Sequence, residues 1–375
     1  MADIINVLVV DDSAYSRKAL SEILESTRVC RVLGTARDGE DAIRKAIELK
    51  PDLITLDLEM PKMDGFTFLR ILMKSMPTPV LVISSMAHRK MVFRALEMGA
   101  MDFLAKPDPS IGADLYDMKE DIINKVKVVG QLQMLNIQRR LSRPPIEEEV
   151  EAPRDRVRPV KEKKRIGRFD CVVIGSSTGG PTALQEILSS LPGDLPVGVA
   201  VSQHMPAGYT RAFAERLNKY SEWFIKEAEE GEPVTHGKAL VAPGGYHMTI
   251  VRENEESRIH VIKKHPGDKH VPSVDKLFST AAQVYGQRLL AVVLTGMGND
   301  GTAGALEVKK EGGMVFAESS ETAIVYGMPR EAAECGAADR SVALDMMAKE
   351  IARVVAVRNE NGVIFADRNE QARKK

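Results

Sequence analysis

The sequence contains few cysteines, no excess of either charge and no long apolar run. Its three cysteines, Cys30, Cys171 and Cys335, are far apart and lie in or beside apolar stretches. This pattern argues against a disulfide framework and favours buried thiols in a reducing compartment. The seven histidines also lack the spacing of zinc ligands.

The balance of charge excludes two classes of partner. The chain has 52 basic and 53 acidic residues, so it carries no basic surplus to attract nucleic acid or an anionic membrane. No apolar run approaches membrane-spanning length, and the first residues lack the pattern of a secretory signal. We therefore expect a cytoplasmic protein with no nucleic-acid partner and no direct membrane insertion.

A length of 375 residues exceeds that of one ordinary hydrophobic core, which predicts two domains. Apolar strands alternate with helical patterns in both halves, as in doubly wound parallel α/β sheets. We place the first domain at residues 1–127, a helical extension and flexible linker at 128–167, and the second domain at 168–357. Residues 358–375 are highly charged and predict a disordered tail.

The linker is inferred from composition. Residues 141–165 contain four prolines and dense mixed charge, which cannot bury enough apolar surface to fold alone. The cluster Lys161–Arg165 is interpreted as solvation of a tether rather than a nucleic-acid patch, because glutamates precede and interrupt it.

Carboxylates follow two strands predicted in the first domain. Ile5–Val10 is an apolar run that ends at Asp11 and Asp12, and residues 53–56 form another that ends at Asp57. The carboxyl ends of parallel strands meet at one edge of a sheet, where ligands collect. An oxygen-rich cluster of this kind suits Mg²⁺.

Two further strand ends add a hydroxyl and an ammonium group to this edge. Residues 80–83 run into Ser84, and residues 102–105 run into Lys106. Mg²⁺ and Lys106 would neutralise phosphoryl oxygens while Ser84 donated a hydrogen bond, so the set predicts a phosphoryl-transfer site. Taken singly, each acid could cap a helix and the lysine could be solvated.

These residues match the motifs of a known domain. The matching features are the Asp11-Asp12 pair, Asp57 within the segment 56–65, Ser84 and the Lys106-Pro107 pair. Residues 1–127 therefore resemble a two-component response-regulator receiver domain, which implies a flavodoxin-like fold.

The resemblance implies a role for each residue at the edge. Asp57 would be phosphorylated by a histidine kinase. Mg²⁺ would be held by Asp12, Asp57 and the backbone carbonyl of Glu59, with Asp11 acting indirectly. The implied switch residues are Ser84, Phe103 and Lys106.

In the second domain, a glycine-rich turn follows the apolar run 171–174. Residues 175–179 fit the pattern G-x-S-x-G, with Ser177 at the centre and a helical pattern directly after it. Such a turn lifts one serine out of the sheet toward the first amides of the next helix. The match alone fits a simple Ser/Gly loop equally well.

Two other predicted strands deliver an imidazole and a carboxylate. Residues 195–201 lead to His204, and residues 288–294 lead to Asp300. With Ser177 as nucleophile, His204 would act as general base and Asp300 would orient it. The amides of Thr178 and Met297 would form the oxyanion hole. The chain order Ser…His…Asp differs from that of α/β-hydrolases.

Other interpretations of these residues stay open at this point. His204 could be a core histidine, and Asp300 could cap the predicted helix 302–311. The turns at 175–180 and 295–301 could hold a dinucleotide phosphate, although neither contains a basic residue or the spacing of a nucleotide-binding motif.

A second resemblance favours catalysis. Five motifs carry it, namely residues 174–181, 203–206, 242–247, 270–275 and 294–301. Residues 170–357 resemble the catalytic domain of chemotaxis protein-glutamate methylesterases. The resemblance implies a Rossmann-like fold with Ser177, His204 and Asp300 as the triad and no cofactor in this domain. The implied substrates are methylated glutamates and glutamines of methyl-accepting chemotaxis receptors.

Several points remain hypotheses. Residues 243–246 predict a hairpin turn between strands 238–242 and 247–251, and His247, His270 and Asp275 have no assigned role.

We expect the unphosphorylated receiver to cover the Ser177 edge, with phosphorylation loosening it. The competing hypothesis is a non-enzymatic response regulator whose second domain binds a nucleotide or a protein.

Overall fold

The protein builds two separate parallel sheets, which a computed structural model describes at residues 4–85, 89–107, 114–132, 136–138 and 169–355. Most of the predicted linker and the whole predicted tail lie outside these residues. The domain boundaries proposed from the sequence therefore stay predictions. Within the described ranges, every helix is too short or too polar to cross a bilayer.

The first unit is a five-stranded sheet in the order β2-β1-β3-β4-β5, with every neighbouring pair parallel. Its strands are β1 (Ile5–Val10), β2 (Cys30–Ala36), β3 (Leu53–Leu56), β4 (Val80–Ser84) and β5 (Asp102–Ala105). Its helices are α1 (Ala14–Glu25), α2 (Gly39–Leu49), α3 (Gly65–Ser75), α4 (Arg89–Glu97) and α5 (Lys119–Lys127). The predicted doubly wound α/β architecture is confirmed.

Short polar residues start the helices of this unit at the carboxyl edge of the sheet. The side chain of Ser13 caps α1, that of Asp38 caps α2 and that of Asp64 caps α3, each by accepting a hydrogen bond from a first-turn amide. These caps satisfy amides that have no partner inside the helix. They also leave Asp11, Asp12 and Asp57 in the loops just before the helices.

The second unit contains a seven-stranded parallel sheet in the order β14-β13-β12-β6-β7-β9-β8, together with a separate hairpin of β10 and β11. Its strands are β6 (Cys171–Ser176), β7 (Gly198–Gln203), β8 (Phe224–Glu227), β9 (Lys238–Val241), β10 (Tyr246–Glu253), β11 (Glu256–Lys263), β12 (Leu289–Val293), β13 (Met314–Glu318) and β14 (Arg340–Val342). Its helices are α6 (Gly180–Ser190), α7 (Thr210–Tyr220), α8 (Val274–Tyr285), α9 (Thr302–Lys310), α10 (Met328–Glu334) and α11 (Leu344–Val355).

The direction of winding reverses at β6. The chain first adds β7, β8 and β9 on one side of β6 and then β12, β13 and β14 on the other. A parallel sheet opens a crevice at such a switch point, outside the carboxyl ends of its strands. The loops after β6, β7 and β12 therefore border one crevice.

The prediction that strands 238–242 and 247–251 form a hairpin is wrong, because the two strands do not pair with each other. Residues 243–245 do connect β9 to β10, but β9 pairs in parallel with β7 and β8 inside the large sheet. Three of the four residues of β9 are buried, so it suits a sheet interior. The hairpin instead joins β10 to β11 through Asn254 and Glu255, whose positive φ angles of 48° and 68° match a two-residue turn.

One strand boundary also differs from the prediction of 195–201. The strand β7 begins at Gly198, because Pro196 has no N–H to donate to a neighbouring strand. The strand continues to Gln203, so Ser202 and Gln203 belong to it, and both are buried.

Candidate active site

Ser177 lies in the crevice, directly after β6 and before α6. Its amide donates to the carbonyl of Thr295 at 3.0 Å, and its carbonyl accepts from the amide of Gly180 at 2.8 Å. Gly179 has a φ of 77°, a left-handed conformation that favours glycine and allows the abrupt turn into the helix. The backbone of Ser177 is therefore fixed on both sides.

The structure brings His204 and Asp300 together at the same edge. The Nε2 atom of His204 lies 2.7 Å from Oδ2 of Asp300, and both side chains are largely buried. Because Nε2 faces the acid, Nδ1 is the ring nitrogen available to a serine proton. No hydrogen bond joins the Ser177 hydroxyl to this ring in the described part of the chain. Such bonds are commonly long before substrate binds.

Asp300 is held by four donors. Besides His204, its Oδ2 accepts from the amide of Val274 at 2.7 Å, and its Oδ1 accepts from the amide of Asp275 at 2.9 Å and the hydroxyl of Ser273 at 3.0 Å. Burial by itself raises the pKa of Asp300. The hydrogen bond and charge of His204 and the two amides outweigh burial and hold the pKa well below its usual range. The carboxylate is thus ionised and suited to stabilise an imidazolium.

Asp300 also caps a helix, though not the one considered from the sequence. Its bonds to Val274 and Asp275 satisfy first-turn amides of α8, whereas α9 follows it in the chain. The cap of α9 comes from Asp275, whose Oδ1 accepts from the amides of Gly301 and Gly304 at 2.9 and 2.7 Å. Each helix start is therefore stabilised by an acid beside the other helix.

Asp275 titrates differently from Asp300. Burial raises the pKa of Asp275, the amides of Gly304 and Gly301 oppose this, and the negative charge of Asp300 raises it further. The net direction is upward. Two neighbouring buried carboxyls share negative charge unequally, and here Asp300 is the one that stays ionised.

The loop after β12 packs directly against the nucleophile turn. A Cβ atom on Gly296 would lie 2.8 Å from Cβ of Ser177 and 3.1 Å from its amide nitrogen, so only glycine permits this approach. The hydroxyl of Thr295 donates to the carbonyl of Thr178 at 2.9 Å. Thr178 and Met297, whose amides are the predicted oxyanion donors, thus belong to two loops that touch beside Ser177.

The carboxyl edge of the first unit gathers its predicted residues as well. Asp11, Asp12 and Asp57 each offer an oxygen, and these three atoms lie within 4.8 Å of one another. The Nζ atom of Lys106 lies 2.8 Å from Oδ2 of Asp11 and also pairs with Asp57. The ammonium group therefore offsets part of the repulsion among the acids.

Burial and charge act against each other in this cluster. Burial raises the pKa of Asp11, Lys106 lowers it and the charge of Asp57 raises it again, with a net upward shift. Burial lowers the pKa of Lys106, but the charges of Asp57 and Asp11 raise it above its usual value. Lys106 therefore carries its positive charge throughout the physiological range.

The remaining predicted receiver residues lie close by. Ser84 ends β4, and its buried hydroxyl has no hydrogen-bond partner within the described ranges. Phe103 is buried and packs edge-on against Phe93, with ring centroids 6.1 Å apart. Glu59 is exposed, and its amide donates to Oδ1 of Asp57 at 3.3 Å. The roles of these residues stay predictions.

The ligand atoms of Asp11, Asp12 and Asp57 suit a Mg²⁺ ion. They are carboxylate oxygens, which this cation prefers, and the orphaned Ser84 hydroxyl is the kind of donor that a phosphoryl oxygen would engage. A bound Mg²⁺ would neutralise phosphoryl charge there, and Asp12 and Asp57 would hold it.

Comparisons with known proteins agree with both halves of the chain. Residues 172–351 match the family model described as CheB methylesterase, and residues 7–111 match that of the response regulator receiver domain. A Geobacter sulfurreducens protein-glutamate methylesterase/protein-glutamine glutaminase is 48% identical over 363 residues, which cover 92% of this chain and 96% of the relative. The chain belongs to the CheB methylesterase family.

Other members of the CheB methylesterase family are similar over most of their length. A Pyrococcus abyssi relative of the same name is 41% identical, with 94% of each chain covered. The crystal structure of the Thermotoga maritima CheB methylesterase catalytic domain is 42% identical, covers 49% of this chain and 97% of that chain, and has a TM-score of 0.48. The two resemblances predicted from sequence motifs are confirmed, and the roles of individual residues remain predictions.

Two residues with no assigned role now have defined contacts. His270 is exposed and stacks on His204, with ring centroids 4.6 Å apart and planes 2° from parallel. His247 is fully buried, and its Nε2 lies 2.9 Å from Asp268, which also pairs with Lys276 at 2.9 Å. In this CheB methylesterase family member, His270 therefore borders the candidate base, and His247 anchors the segment that carries His270.

Some residues around the site were missed from the sequence. Glu318 is fully buried at the end of β13, and its Oε2 accepts from the amide of Thr295 at 2.8 Å. The strand-end rule that singled out Asp57 could have found it. Ser273 and Gln203 lie inside motifs quoted above, and Gln203 also ends a strand, but their partners are distant in the chain and could not be read from the sequence.

Replacing Lys106 with methionine is expected to raise Mg²⁺ affinity roughly tenfold, since it removes a cation that competes for the same carboxylates. Isothermal titration of the full chain measures the change. Lys50→Met, an exposed lysine at the end of α2, is the control and should bind Mg²⁺ as the wild type does. Unchanged or weaker Mg²⁺ binding by Lys106→Met would contradict the expectation that Lys106 and Mg²⁺ compete for the same carboxylates.

The depressed pKa of Asp300 predicts a pH-dependent contribution to stability. A carboxyl with a lowered folded-state pKa contributes stability above its unfolded pKa of about 3.9 and loses it as the pH falls further. The difference in unfolding free energy between wild type and Asp300→Asn should therefore stay level above about pH 5 and shrink from there toward about pH 2. Denaturant titrations across this range test it, with exposed Glu253→Gln as the control. If the difference in unfolding free energy stays constant across this range, Asp300 is not the ionised acid that we infer.

Proposed function

We propose that this chain is a receiver-regulated serine hydrolase that removes methyl esters from glutamate side chains of chemoreceptors. By the same chemistry it would deamidate receptor glutamines. The observation that carries the proposal is the 2.7 Å contact of His204 with Asp300, in the crevice that Ser177 also borders. The names of the relatives support the choice of substrate.

The proposed reaction begins with attack of the Ser177 oxygen on the ester carbonyl carbon. His204 takes the serine proton, and Asp300 stabilises the resulting imidazolium. The amides of Thr178 and Met297 would receive the negative charge that forms on the carbonyl oxygen. The C–O bond to the methoxy group then breaks, His204 returns the proton, and methanol leaves an acyl-serine.

A water molecule completes the cycle. His204 removes its proton while the water oxygen attacks the acyl carbon. The bond from this carbon to the Ser177 oxygen then breaks, His204 returns the proton to that oxygen, and a glutamic acid side chain is left, which ionises to glutamate. With a glutamine substrate, ammonia leaves in place of methanol. Each step uses groups of this chain and water, and no cofactor in the second domain is needed.

The proposed control site is Asp57. Phosphoryl transfer from a chemotaxis histidine kinase to Asp57, with Mg²⁺ held by Asp12, Asp57 and the Glu59 carbonyl, would place a phosphoryl oxygen beside Ser84 and Lys106.

The competing hypothesis of a nucleotide-binding regulator is not favoured, because the glycine-rich turns at 175–180 and 295–301 contain no basic residue.

Replacing Ser177 with alanine is expected to lower turnover by roughly three or more orders of magnitude, because the nucleophile acts as part of a unit. Methanol release from methylated receptors measures it. The matched control is Ser202→Ala, which removes a buried serine hydroxyl at the end of β7 that has no hydrogen-bond partner in the described ranges. Near-normal release by Ser177→Ala would exclude the mechanism.

A fragment that begins near Gly167 is expected to release methanol faster than the unphosphorylated full chain, if the receiver restrains the enzyme at rest. A small-molecule phosphodonor should activate the full chain but leave its Asp57→Asn variant at the resting rate. Equal rates for the fragment and the unphosphorylated chain would rule out this form of control.

A further inference from the structure

Gln203 occupies a position between the candidate nucleophile and the candidate base. It is the last residue of β7, directly before His204, and is 2% exposed. Its side-chain Nε2 donates to the carbonyls of Ser177 and His204, both at 3.0 Å, and its Oε1 accepts from the hydroxyl of Ser176 at 2.6 Å. One buried amide thus contacts the backbone on both sides of the crevice.

The chemistry of its partners fixes the orientation of this amide. The carbonyls of Ser177 and His204 can only accept hydrogen bonds, so the NH₂ group must face them. Oε1 then faces the Ser176 hydroxyl, which can donate. Both hydrogens of the amide and its oxygen are used, so rotation of the side chain would break all three bonds.

The nucleophile turn makes room for this side chain. Gly180 is the first residue of α6 and does not have a left-handed φ, so its backbone conformation does not require glycine. A Cβ atom at Gly180 would instead lie 2.0 Å from Oε1 of Gln203. The absence of a side chain at this position of the G-S-S-T-G-G turn therefore accommodates the amide from the neighbouring strand.

The backbone hydrogen bonds between β6 and β7 reach His204 but not Ser177. The pairing of β6 with β7 ends at Ser176 and Gln203, and the last bond runs from the amide of His204 to the carbonyl of Ser176 at 3.0 Å. Ser177 lies beyond the ladder. The Gln203 amide is the contact that links the carbonyl of Ser177 to that of His204 across the end of the sheet.

We propose that Gln203 is a positioning residue, which holds the backbones of Ser177 and His204 in the relative placement that proton transfer and attack require. The inference rests on the proposed function, since it concerns the same nucleophile and base. Small misplacements of reacting groups cost about 10²-fold in rate, so one buried amide can control turnover without touching substrate.

Two variants of the full chain test the proposal. Gln203→Met keeps a similar side-chain length but removes every hydrogen bond, and Gln203→Glu keeps the shape but turns a carboxylate oxygen toward two carbonyls. Both should lower kcat for methanol release by roughly 10- to 100-fold with KM changed less than about threefold, because the substrate-binding surface is left intact. The rate of Ser177 modification by a fluorophosphonate should fall in parallel.

The control separates positioning from general stability. Ser221→Ala removes a hydrogen bond to the Leu188 carbonyl near the far end of α6, so it should lower the unfolding midpoint but leave kcat unchanged. If Gln203→Met fails to fold, Ser176→Ala removes one bond to the same amide and should lower kcat about three- to tenfold.

The outcomes separate the two proposals. Wild-type modification at Ser177 together with unchanged kcat in the folded Gln203 variants, or in Ser176→Ala, would overturn the positioning role alone. Wild-type protein that neither reacts with the fluorophosphonate nor releases methanol would overturn the proposed function and the positioning role with it.

Discussion

The arrangement of the second unit depends on the buried carboxylate of Asp300. Taking a charge out of water is unfavourable unless hydrogen bonds replace those lost to solvent. Here the His204 ring, the hydroxyl of Ser273 and the amides of Val274 and Asp275 supply them. Together these contacts begin α8 and orient the imidazole, and His204 with the two amides keeps the acid ionised. The charge that catalysis would use is therefore also a structural element.

This constraint extends to the packing of two helices. Asp275, which donates its amide to Asp300, in turn accepts from the amides of Gly301 and Gly304 at the start of α9. The helices can lie this close because Gly304 has no side chain, since a Cβ there would be 2.6 Å from Cβ of Phe278. The position of the acid is therefore set by the contact of α8 with α9, and a change in that contact would shift Asp300 and with it His204.

Sequence reasoning identified the groups better than their partners. An apolar run that ends in a polar residue is a local pattern, so Asp57, Lys106, Ser177, His204 and Asp300 could be singled out at strand ends. The contacts that these residues make with one another and with other side chains depend on the tertiary fold. The capping of α8 by Asp300, the pairing of β10 with β11 and the amide bridge of Gln203 join residues that no local pattern relates. The true start of β7 at Gly198 could have been predicted from Pro196.

The central claim is that Ser177 is the nucleophile of this crevice. Mass-spectrometric mapping of the residue that carries a covalent phosphonate, after the folded full chain reacts with a serine-directed fluorophosphonate, tests it most directly. The account predicts a single adduct located on Ser177 itself and its loss in Asp300→Asn under matched conditions. An adduct on the neighbouring Ser176 or Ser202, or none at all in protein that hydrolyses the methyl ester, would contradict it.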